Sequence, residues 1–195
     1  MPLIGAAAAT AALGACARPV RWRAGVDVTG TFPRLAFTLT RARDGKVVTA
    51  ADYLGRVVLL YFGYTFCPDV CPTTLANLGQ ILQRLGPLAS QVRVLFVTVD
   101  PVRDTLPVLN DYSAHFAPQV EGMRPTPDQL ASLARRYRAA YSVSPGDKDH
   151  PYTVTHSSAV YVFDKQENAR FLLTSTSSGA PDLDGAAADL RRLLS

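Results

Sequence analysis

The sequence predicts an α/β fold in which a central mixed sheet is flanked by helices. Short apolar runs rich in β-branched and aromatic residues alternate with longer stretches that carry apolar residues at helical spacing. Glycine and proline separate these runs, as expected at element boundaries. Because strand–helix–strand orders need crossover connections, helices should cover both faces of the sheet. The 195 residues, 48% of them hydrophobic, suffice for one domain with a proper core.

Charged residues make up 18% of the chain, with a formal net charge of +4. The basic side chains are scattered, apart from Arg18, Arg21 and Arg23 near the start. A nucleic-acid interface usually needs a dense basic stripe or clustered basic side chains on one face. The composition therefore argues against a nucleic-acid partner.

The first 15 residues are small and apolar and carry no charged side chain. The segment Leu13-Gly14-Ala15-Cys16 resembles a lipoprotein signal box, in which the cysteine becomes the lipidated first residue of the mature protein. The run is too short and too weakly apolar to predict a membrane span. We expect a signal segment in residues 1–15 and a lipid on Cys16 that holds the domain at the extracytoplasmic, periplasmic face of a bacterial membrane. A disordered alanine-rich tail is the alternative.

The first elements follow a linker-like stretch. Residues 17–33 contain glycine, proline and arginine without periodicity, which predicts a tether over residues 16–34 and a folded domain over 35–195. Residues 35–40 alternate apolar and polar side chains. The turn dipeptide Asp44-Gly45 then precedes Val47 and Val48, which predicts an N-terminal β-hairpin.

The remaining elements are predicted from the same patterns. In chain order they are a buried strand at 57–62, a helix from Pro72 to Leu85, a strand at 92–99, a helix from the Thr105 cap to about Phe116, a helix opened by Thr126-Pro127-Asp128, a long irregular segment at 142–155, strands at 159–163 and 170–174, and a terminal helix at 186–194. An early hairpin, a β-α-β-α core, a second hairpin and a closing helix form a thioredoxin-like order.

Two cysteines lie between the first buried strand and its helix. Cys67 and Cys71 are separated by Pro68-Asp69-Val70, and each is followed by proline. Proline costs roughly 3 kcal/mol inside a helix and disfavours helical geometry in the residue before it, so we predict Pro72 as the first helical residue. The positive end of the helix dipole should then favour thiolates at both cysteines. Two activated sulfurs this close can share a metal or form a disulfide.

Three separated motifs resemble the Sco/SenC family, whose members are copper-handling thioredoxin-like domains that serve cytochrome oxidase assembly. The motifs are YFGYTFCPDVCPTTL from Tyr61, VTVDPVRDTLPVLNDY from Val97, and VTHSSAVYVFD from Val154. They occur in the family's order, and the resemblance covers roughly residues 37–194. It implies a copper chaperone with a copper-binding subunit of cytochrome c oxidase as partner, and a thioredoxin-like reductant or another copper chaperone as a further partner.

His156 is the candidate third ligand. It precedes the strand at 159–163, and in thioredoxin-like folds that loop lies beside the cysteine loop. Two thiolates suit Cu(I), and an added imidazole makes Cu(II) tolerable. A histidine hydrogen-bonded under the sheet is the alternative, but the HSS motif shared with the family favours a ligand. Sco-type proteins usually carry an aspartate before this histidine, whereas this chain has Thr155, which puts Cu(II) affinity in more doubt than Cu(I) binding.

Several other polar residues receive weaker predictions. His150 is either a weak exposed ligand or a solvated loop residue, and His115 should be structural. Asp69 either raises the thiol pKa values, supplies an oxygen to copper or is simply solvated.

The loop after the strand at 92–99 should end on the same sheet edge as the cysteines. We interpret Asp100, Arg103 and Asp104 as a network that fixes this loop, with Arg103 pairing with Asp104. Three aromatic residues lie near these motifs: Tyr64, Phe66 and Tyr152. They form either a rim around the site, a docking face or part of the core.

The sequence leaves two main hypotheses for function. The first is a metallochaperone, a binding protein rather than an enzyme, that holds copper on Cys67, Cys71 and His156 and passes it to the oxidase. The second is an extracytoplasmic thiol–disulfide oxidoreductase that cycles the redox-active pair Cys67–Cys71; a peroxiredoxin-like peroxidase is a distant third. Redox thioredoxins typically place two residues between their cysteines, and the three found here favour the chaperone, with thiol chemistry as part of its cycle.

Overall fold

The computed structural model describes residues 21–146 and 152–195, and it confirms the α/β fold. The strands among these residues are β1 Val26–Asp27, β2 Thr38–Arg41, β3 Val47–Thr49, β4 Val57–Gly63, β5 Val92–Thr98, β6 Val120–Arg124, β7 Tyr141–Ser144, β8 Thr153–His156, β9 Val160–Phe163 and β10 Ala169–Leu173. The α-helices are α1 Val70–Leu85, α2 Leu106–Ala114, α3 Pro127–Tyr137 and α4 Leu183–Leu194. Most predicted elements are therefore confirmed to within a few residues at their ends.

Eight strands form one sheet in the order β1-β10-β9-β4-β5-β6-β2-β3. The pairs β4–β5 and β5–β6 are parallel and the other pairs are antiparallel, so the sheet is mixed as predicted. The predicted N-terminal hairpin is confirmed as β2–β3. Every residue of the central strand β4 is buried. The carboxyl ends of β4 and β5 lie together at one edge, where the cysteine loop begins.

Helices cover both faces of this sheet. Tyr61 of β4 lies beside Phe96 of β5 on one face, and the ring of Tyr112 in α2 lies 5.5 Å from that of Phe96. On the other face, the ring of Tyr161 in β9 lies 5.9 Å from that of Tyr137 in α3. Helix α4 packs against α1. The sheet is thus sandwiched between helical layers, as the crossover argument predicted.

Helix α1 begins at Val70, so the predicted start at Pro72 is wrong by two residues. The first four N–H groups of a helix have no partner within it, and proline is therefore tolerated throughout the first turn. Asp69 is the N-cap and Pro72 is the third helical residue. Cys71 consequently lies inside the helix rather than just before it.

Strand β6 was not predicted from the sequence. It holds a charged residue, Glu121, that is buried and accepts a hydrogen bond of 2.6 Å from the Tyr53 hydroxyl. Arg43 and Arg93 lie 3.1 and 3.4 Å from the same carboxylate. Glu121 interrupts the apolar run that would mark a buried strand. Its burial depends on partners from distant parts of the chain, so local sequence does not reveal it.

The segment 142–155, predicted to be irregular, has a strand at each end. β7 and β8 pair as an antiparallel hairpin, in which Tyr141 lies opposite His156 and Ser144 opposite Thr153. This pair, called here the histidine hairpin, forms a two-stranded sheet separate from the main one. The prediction is therefore wrong at the ends of the segment, and His156 lies on a strand.

The described part of the predicted tether packs against the domain. The ring of Trp22 lies 4.5 Å from that of Phe171, and β1 pairs with β10. The buried carboxylate of Asp189 in α4 accepts backbone N–H bonds of 2.8 Å from Arg23 and Ala24. From Trp22 onward the segment is thus part of the folded domain. Cys16 and the predicted signal segment lie outside the described residues.

Within residues 21–146 and 152–195, no helix is both long enough and apolar enough to cross a membrane.

Candidate metal centre

The structure brings together Cys67, Cys71 and His156, which come from three different elements. Cys67 lies in the cysteine loop, residues 64–69, Cys71 lies in the first turn of α1, and His156 ends β8. One ligand atom from each side chain lies within 4.8 Å of the other two. Among the described residues, these three form the one group with this metal-ligand geometry.

Cys71 is the buried centre of this group. Its Sγ lies 3.1 Å from Nε2 of His156, and its backbone N–H donates to Sγ of Cys67 at 3.4 Å. The close approach depends on Gly63 at the end of β4, because a Cβ there would lie 2.8 Å from Sγ of Cys71 and 2.5 Å from the ring of Phe96. Glycine at this position therefore lets α1 pack its first turn directly on the sheet edge.

His156 is held with one ring nitrogen facing the sulfurs. Its Nδ1 lies 3.0 Å from the backbone carbonyl of Ser157, which fits a donated N–H and leaves the lone pair of Nε2 directed at Cys71. Burial lowers the pKa of His156, and backbone hydrogen bonds to Ser157 and Phe62 oppose that shift only in part. The neutral imidazole, which is the form that binds metals, is therefore favoured.

Thr155 does not replace the aspartate that precedes this histidine in Sco-type proteins. It is exposed, and its hydroxyl lies 2.6 Å from that of Ser142 across the histidine hairpin. The carbonyl of Ser157 is instead the group that orients the imidazole.

Burial disfavours a thiolate at Cys71, so the predicted thiolate is wrong for this cysteine. Burial raises the pKa of Cys71 to about 12, and a hydrogen bond from the backbone of Tyr64 offsets this only partly. Removing the sulfur from water disfavours the charged form of the side chain, so burial favours the thiol. A cation bound at the sulfurs would supply the missing opposite charge.

Aromatic rings enclose the imidazole. The rings of Tyr61 and Tyr64 lie 6.1 and 5.8 Å from that of His156 in edge contacts. Tyr61 and Tyr64 are buried, whereas Cys67 is partly exposed. The site is therefore apolar behind the sulfurs and open to solvent at Cys67.

The weaker ligand candidates lie apart from the group. Asp69 is exposed, and its carboxylate accepts a bond of 3.4 Å from the Thr73 hydroxyl. His115 is exposed at the end of α2, where its Nδ1 lies 2.5 Å from the backbone carbonyl of Asp111. His150 lies outside the described residues.

The loop after β5 is a fixed network, but the predicted pairing of Arg103 with Asp104 is wrong. Arg103 pairs with the buried carboxylate of Asp100. Asp104 instead accepts hydroxyl bonds of 2.6 Å from Thr65 and 2.5 Å from Thr98, and burial raises its pKa. Asp104 thus fastens the start of the cysteine loop to the end of β5.

The aromatic residues Tyr64, Phe66 and Tyr152 surround the guanidinium of Arg103, which was not predicted from the sequence. The guanidinium carbon of Arg103 lies 4.0 Å from the ring centre of Tyr152, 5.0 Å from that of Phe66 and 5.7 Å from that of Tyr64. Phe66 is 57% exposed, whereas Tyr64 is buried. The aromatics therefore form a rim with an arginine at its centre.

Comparison with known proteins identifies one family over most of the chain. The SCO1/SenC family model matches residues 32–195. A mitochondrial SCO2 homologue from Bos taurus is 43% identical over 120 residues, which are 60% of this chain and 45% of that protein. The chain thus spans about half the length of such relatives.

Solved structures are similar over a larger share. ScoI from Bradyrhizobium japonicum with copper bound is 34% identical, with a TM-score of 0.71 over 82% of this chain and 98% of that one. The apo Sco1 protein from Thermus thermophilus is 32% identical, with a TM-score of 0.73 over 86% of this chain and 95% of that one. Both likenesses bear out the thioredoxin-like fold.

Proposed function

The chain belongs to the SCO1/SenC family, and from that premise we propose that it is a copper metallochaperone for cytochrome c oxidase assembly. It holds one copper ion on Cys67, Cys71 and His156 and delivers it to the oxidase, or maintains the thiols of the oxidase copper site. The observation that carries the proposal is the convergence of two sulfurs and one imidazole nitrogen within 4.8 Å.

The donor set suits copper in both common oxidation states. Soft thiolates satisfy Cu(I), and the imidazole nitrogen adds a ligand that Cu(II) favours. Binding displaces the proton of the Cys71 thiol, whereas His156 is already neutral and needs to lose none. The copper-bound ScoI structure supports the choice of metal.

Exposure suggests how the copper leaves. Cys67 is partly exposed and Cys71 is buried, so a ligand from the copper-binding subunit of the oxidase reaches the metal first on the Cys67 side. Replacing Cys67 by the partner's ligand would leave copper shared between the two proteins before release. A second copper chaperone or a thioredoxin-like reductant would approach the same side.

The test is competition against a Cu(I) chelator, with Cys67→Ser, Cys71→Ser and His156→Ala compared with the wild type. We expect either cysteine variant to lose tight Cu(I) binding, because one thiolate remains. His156→Ala should weaken Cu(II) more than Cu(I). His115→Ala is the matched control, since that exposed imidazole lies outside the group. Cysteine variants that bind Cu(I) as tightly as the wild type would place the metal elsewhere and overturn the proposal.

A thiol–disulfide oxidoreductase is the second candidate, supported by the two free cysteines whose sulfurs lie within 4.8 Å. In this reaction Cys67 and Cys71 form a disulfide, a partner disulfide breaks, and two electrons and two protons pass to the partner sulfurs. Reduction of a model disulfide at a rate unaffected by a Cu(I) chelator, in a protein that binds no copper, would favour it.

We also propose that Cys16 carries a lipid and that the domain lies at the periplasmic face of a bacterial membrane, with residues 1–15 as the signal. Five residues lie between Cys16 and Trp22, the start of the packed segment, so six chain steps join the two. Such a stretch reaches at most about 20 Å, so the domain would lie close to the bilayer. Labelling with a radioactive fatty acid should mark the wild type and not Cys16→Ser; an unlabelled wild type in its native host would contradict this.

A further inference from the structure

Arg103 connects three segments that meet at the metal centre. Its guanidinium pairs with Asp100 in the loop after β5 and lies over Phe66 in the cysteine loop and over Tyr152 before β8. Its Nη1 also donates to the backbone carbonyl of Tyr152 at 3.4 Å. We call this group, Arg103 with Asp100, Phe66 and Tyr152, the arginine clasp.

The clasp holds the strand that carries the third candidate ligand. Tyr152 immediately precedes β8, which ends at His156. The hydroxyl of Tyr152 donates to Asp100 at 2.7 Å, so both the side chain and the backbone carbonyl of this residue are bound to the loop after β5. Because Tyr152 directly precedes Thr153, the first residue of β8, its contacts with Arg103 fix the start of that strand.

The main sheet does not hold β8 in the same way. Within the described residues, β8 pairs with β7 alone, in a sheet separate from the eight-stranded one. Isolated two-stranded hairpins are marginally stable in water. The histidine hairpin is therefore held against the domain by contacts outside the strand ladder of the main sheet. These include the buried side chain of Val154 in β8 and, at Tyr152, several contacts with Arg103.

We propose that Arg103 is a positioning residue for the metal centre, because the arginine clasp holds the histidine hairpin against the cysteine loop and so keeps His156 next to Cys71. The proposal rests on the proposed function only in taking His156 as a copper ligand. Arginine suits this place because a planar guanidinium can pair with a carboxylate and stack on aromatic rings at once, which lysine cannot.

Arg103→Gln should weaken Cu(II) binding about 10- to 100-fold, the range typical when a residue supporting a metal ligand is removed. Cu(I) binding should change much less, because the two sulfurs are held by the cysteine loop and α1. Arg103→Lys should recover only part of the loss. Tyr152→Leu, which keeps the pair of Arg103 with the buried Asp100, should shift Cu(II) binding in the same direction even if Arg103→Gln folds poorly.

The chain offers a matched control in Arg170→Gln. Arg170 pairs with the buried carboxylate of Asp164 at 3.0 Å and lies over the ring of Trp22 at 5.7 Å. The side chains of Arg103 and Arg170 are 21% and 25% exposed, so the two pairs are similarly placed relative to solvent. A general loss of stability should appear in both variants, whereas selective loss of Cu(II) binding should appear only at Arg103.

Two further measurements separate positioning from stability. Electron paramagnetic resonance of the Cu(II) form should lose its nitrogen coupling in Arg103→Gln, as in His156→Ala. In the metal-free protein, amide hydrogen exchange over β8 should accelerate in Arg103→Gln and not in Arg170→Gln. If His156→Ala weakens Cu(II) and Arg103→Gln does not, the positioning role is overturned while the proposed function stands; if His156→Ala itself has no effect, the third ligand of the proposed function fails.

Discussion

Cys71 and His156 lie 3.1 Å apart, yet the structure supports them unequally. Cys71 stands in the first turn of α1, packed on the central strand β4, whose residues are all buried. His156 ends a two-stranded hairpin outside the main sheet. Cys71 is therefore built into the core, whereas the strand that carries His156 is held by contacts outside the ladder of the main sheet. If the group binds copper as proposed, this arrangement would fix the position of the buried sulfur of Cys71 and leave the imidazole more adjustable.

Gly63→Ala should have the largest effect, because it disturbs the packing of Cys71 against β4. The added Cβ would lie 2.5 Å from the ring of Phe96 and 2.8 Å from Sγ of Cys71. Overpacking of this kind lowers the free energy of unfolding by about 3 kcal/mol, and α1 must shift away from β4. Denaturant unfolding and Cu(I) competition measure the two consequences.

Gly179→Ala is the matched control, since nothing lies within 4 Å of a Cβ at that position. Equal stability and equal Cu(I) affinity in Gly63→Ala and wild type would show that the close packing of α1 on β4 is not what places Cys71.

Asp104→Asn should come next, because it loosens the start of the cysteine loop without touching either sulfur. The carboxylate accepts from the hydroxyls of Thr65 and Thr98, and an amide cannot accept all of these bonds. Leaving one buried donor unpaired lowers the free energy of unfolding by about 2 kcal/mol. The exposed Asp111→Asn serves as control in the same unfolding experiment, and identical curves for both variants would contradict the expected role of Asp104.

The pH dependence should also differ between the two sides. Because the pKa of Cys71 is raised to about 12, its thiol is protonated throughout the neutral range and must lose a proton to bind. Cu(I) affinity should therefore rise about tenfold per pH unit from this thiol alone. Because the pKa of His156 is lowered by burial, proton competition at the imidazole begins at a lower pH than for an ordinary histidine.

Cu(I) competition between about pH 6 and pH 8 tests this difference, in the range where unperturbed histidine titrates. His156→Ala should keep the slope of the wild type. A slope that flattens in His156→Ala would show that the imidazole rather than the buried thiol controls proton competition. An affinity independent of pH in the wild type would show that binding displaces no thiol proton.

Thr155→Asp should have the smallest effect, although it restores the residue usual in Sco-type proteins. The side chain at 155 is exposed and faces Ser142, and Nδ1 of His156 already has the carbonyl of Ser157 as partner. We expect Cu(II) affinity to change by less than about threefold, below the range seen when a supporting residue is lost. Thr153→Asp, exposed on the same side of β8, is the control; a tenfold gain in Thr155→Asp alone would show that the hairpin turns this side chain toward the imidazole.

The sequence by itself determined the elements that depend on local patterns. The buried run of β4, the leucine spacing of α1 and the two cysteines between them predict a strand, a loop and a helix that carry both sulfurs. The three motifs added His156. These predictions hold because β-branched runs, helical periodicity and proline act within a few residues of one another.

Only the tertiary structure decided which polar groups are buried and with whom they pair. Strand β6 escaped prediction because Glu121 interrupts its apolar pattern. That carboxylate is buried only because the Tyr53 hydroxyl donates to it and Arg43 and Arg93, distant in the chain, pair with it. Arg103 pairs with Asp100 rather than Asp104 because Thr65 and Thr98 already occupy the Asp104 carboxylate.

The protonation of Cys71 was decided in the same way. A helix N-terminus favours the thiolate, and this much follows from the position of the cysteine in the sequence. Desolvation raises the pKa of Cys71 and so opposes the thiolate. It arises only after the chain has folded and β4, Tyr61 and Tyr64 enclose the sulfur. Desolvation depends on every neighbour in space, whereas the helix dipole depends on one local element, so the raised pKa of Cys71 could not be predicted from the sequence.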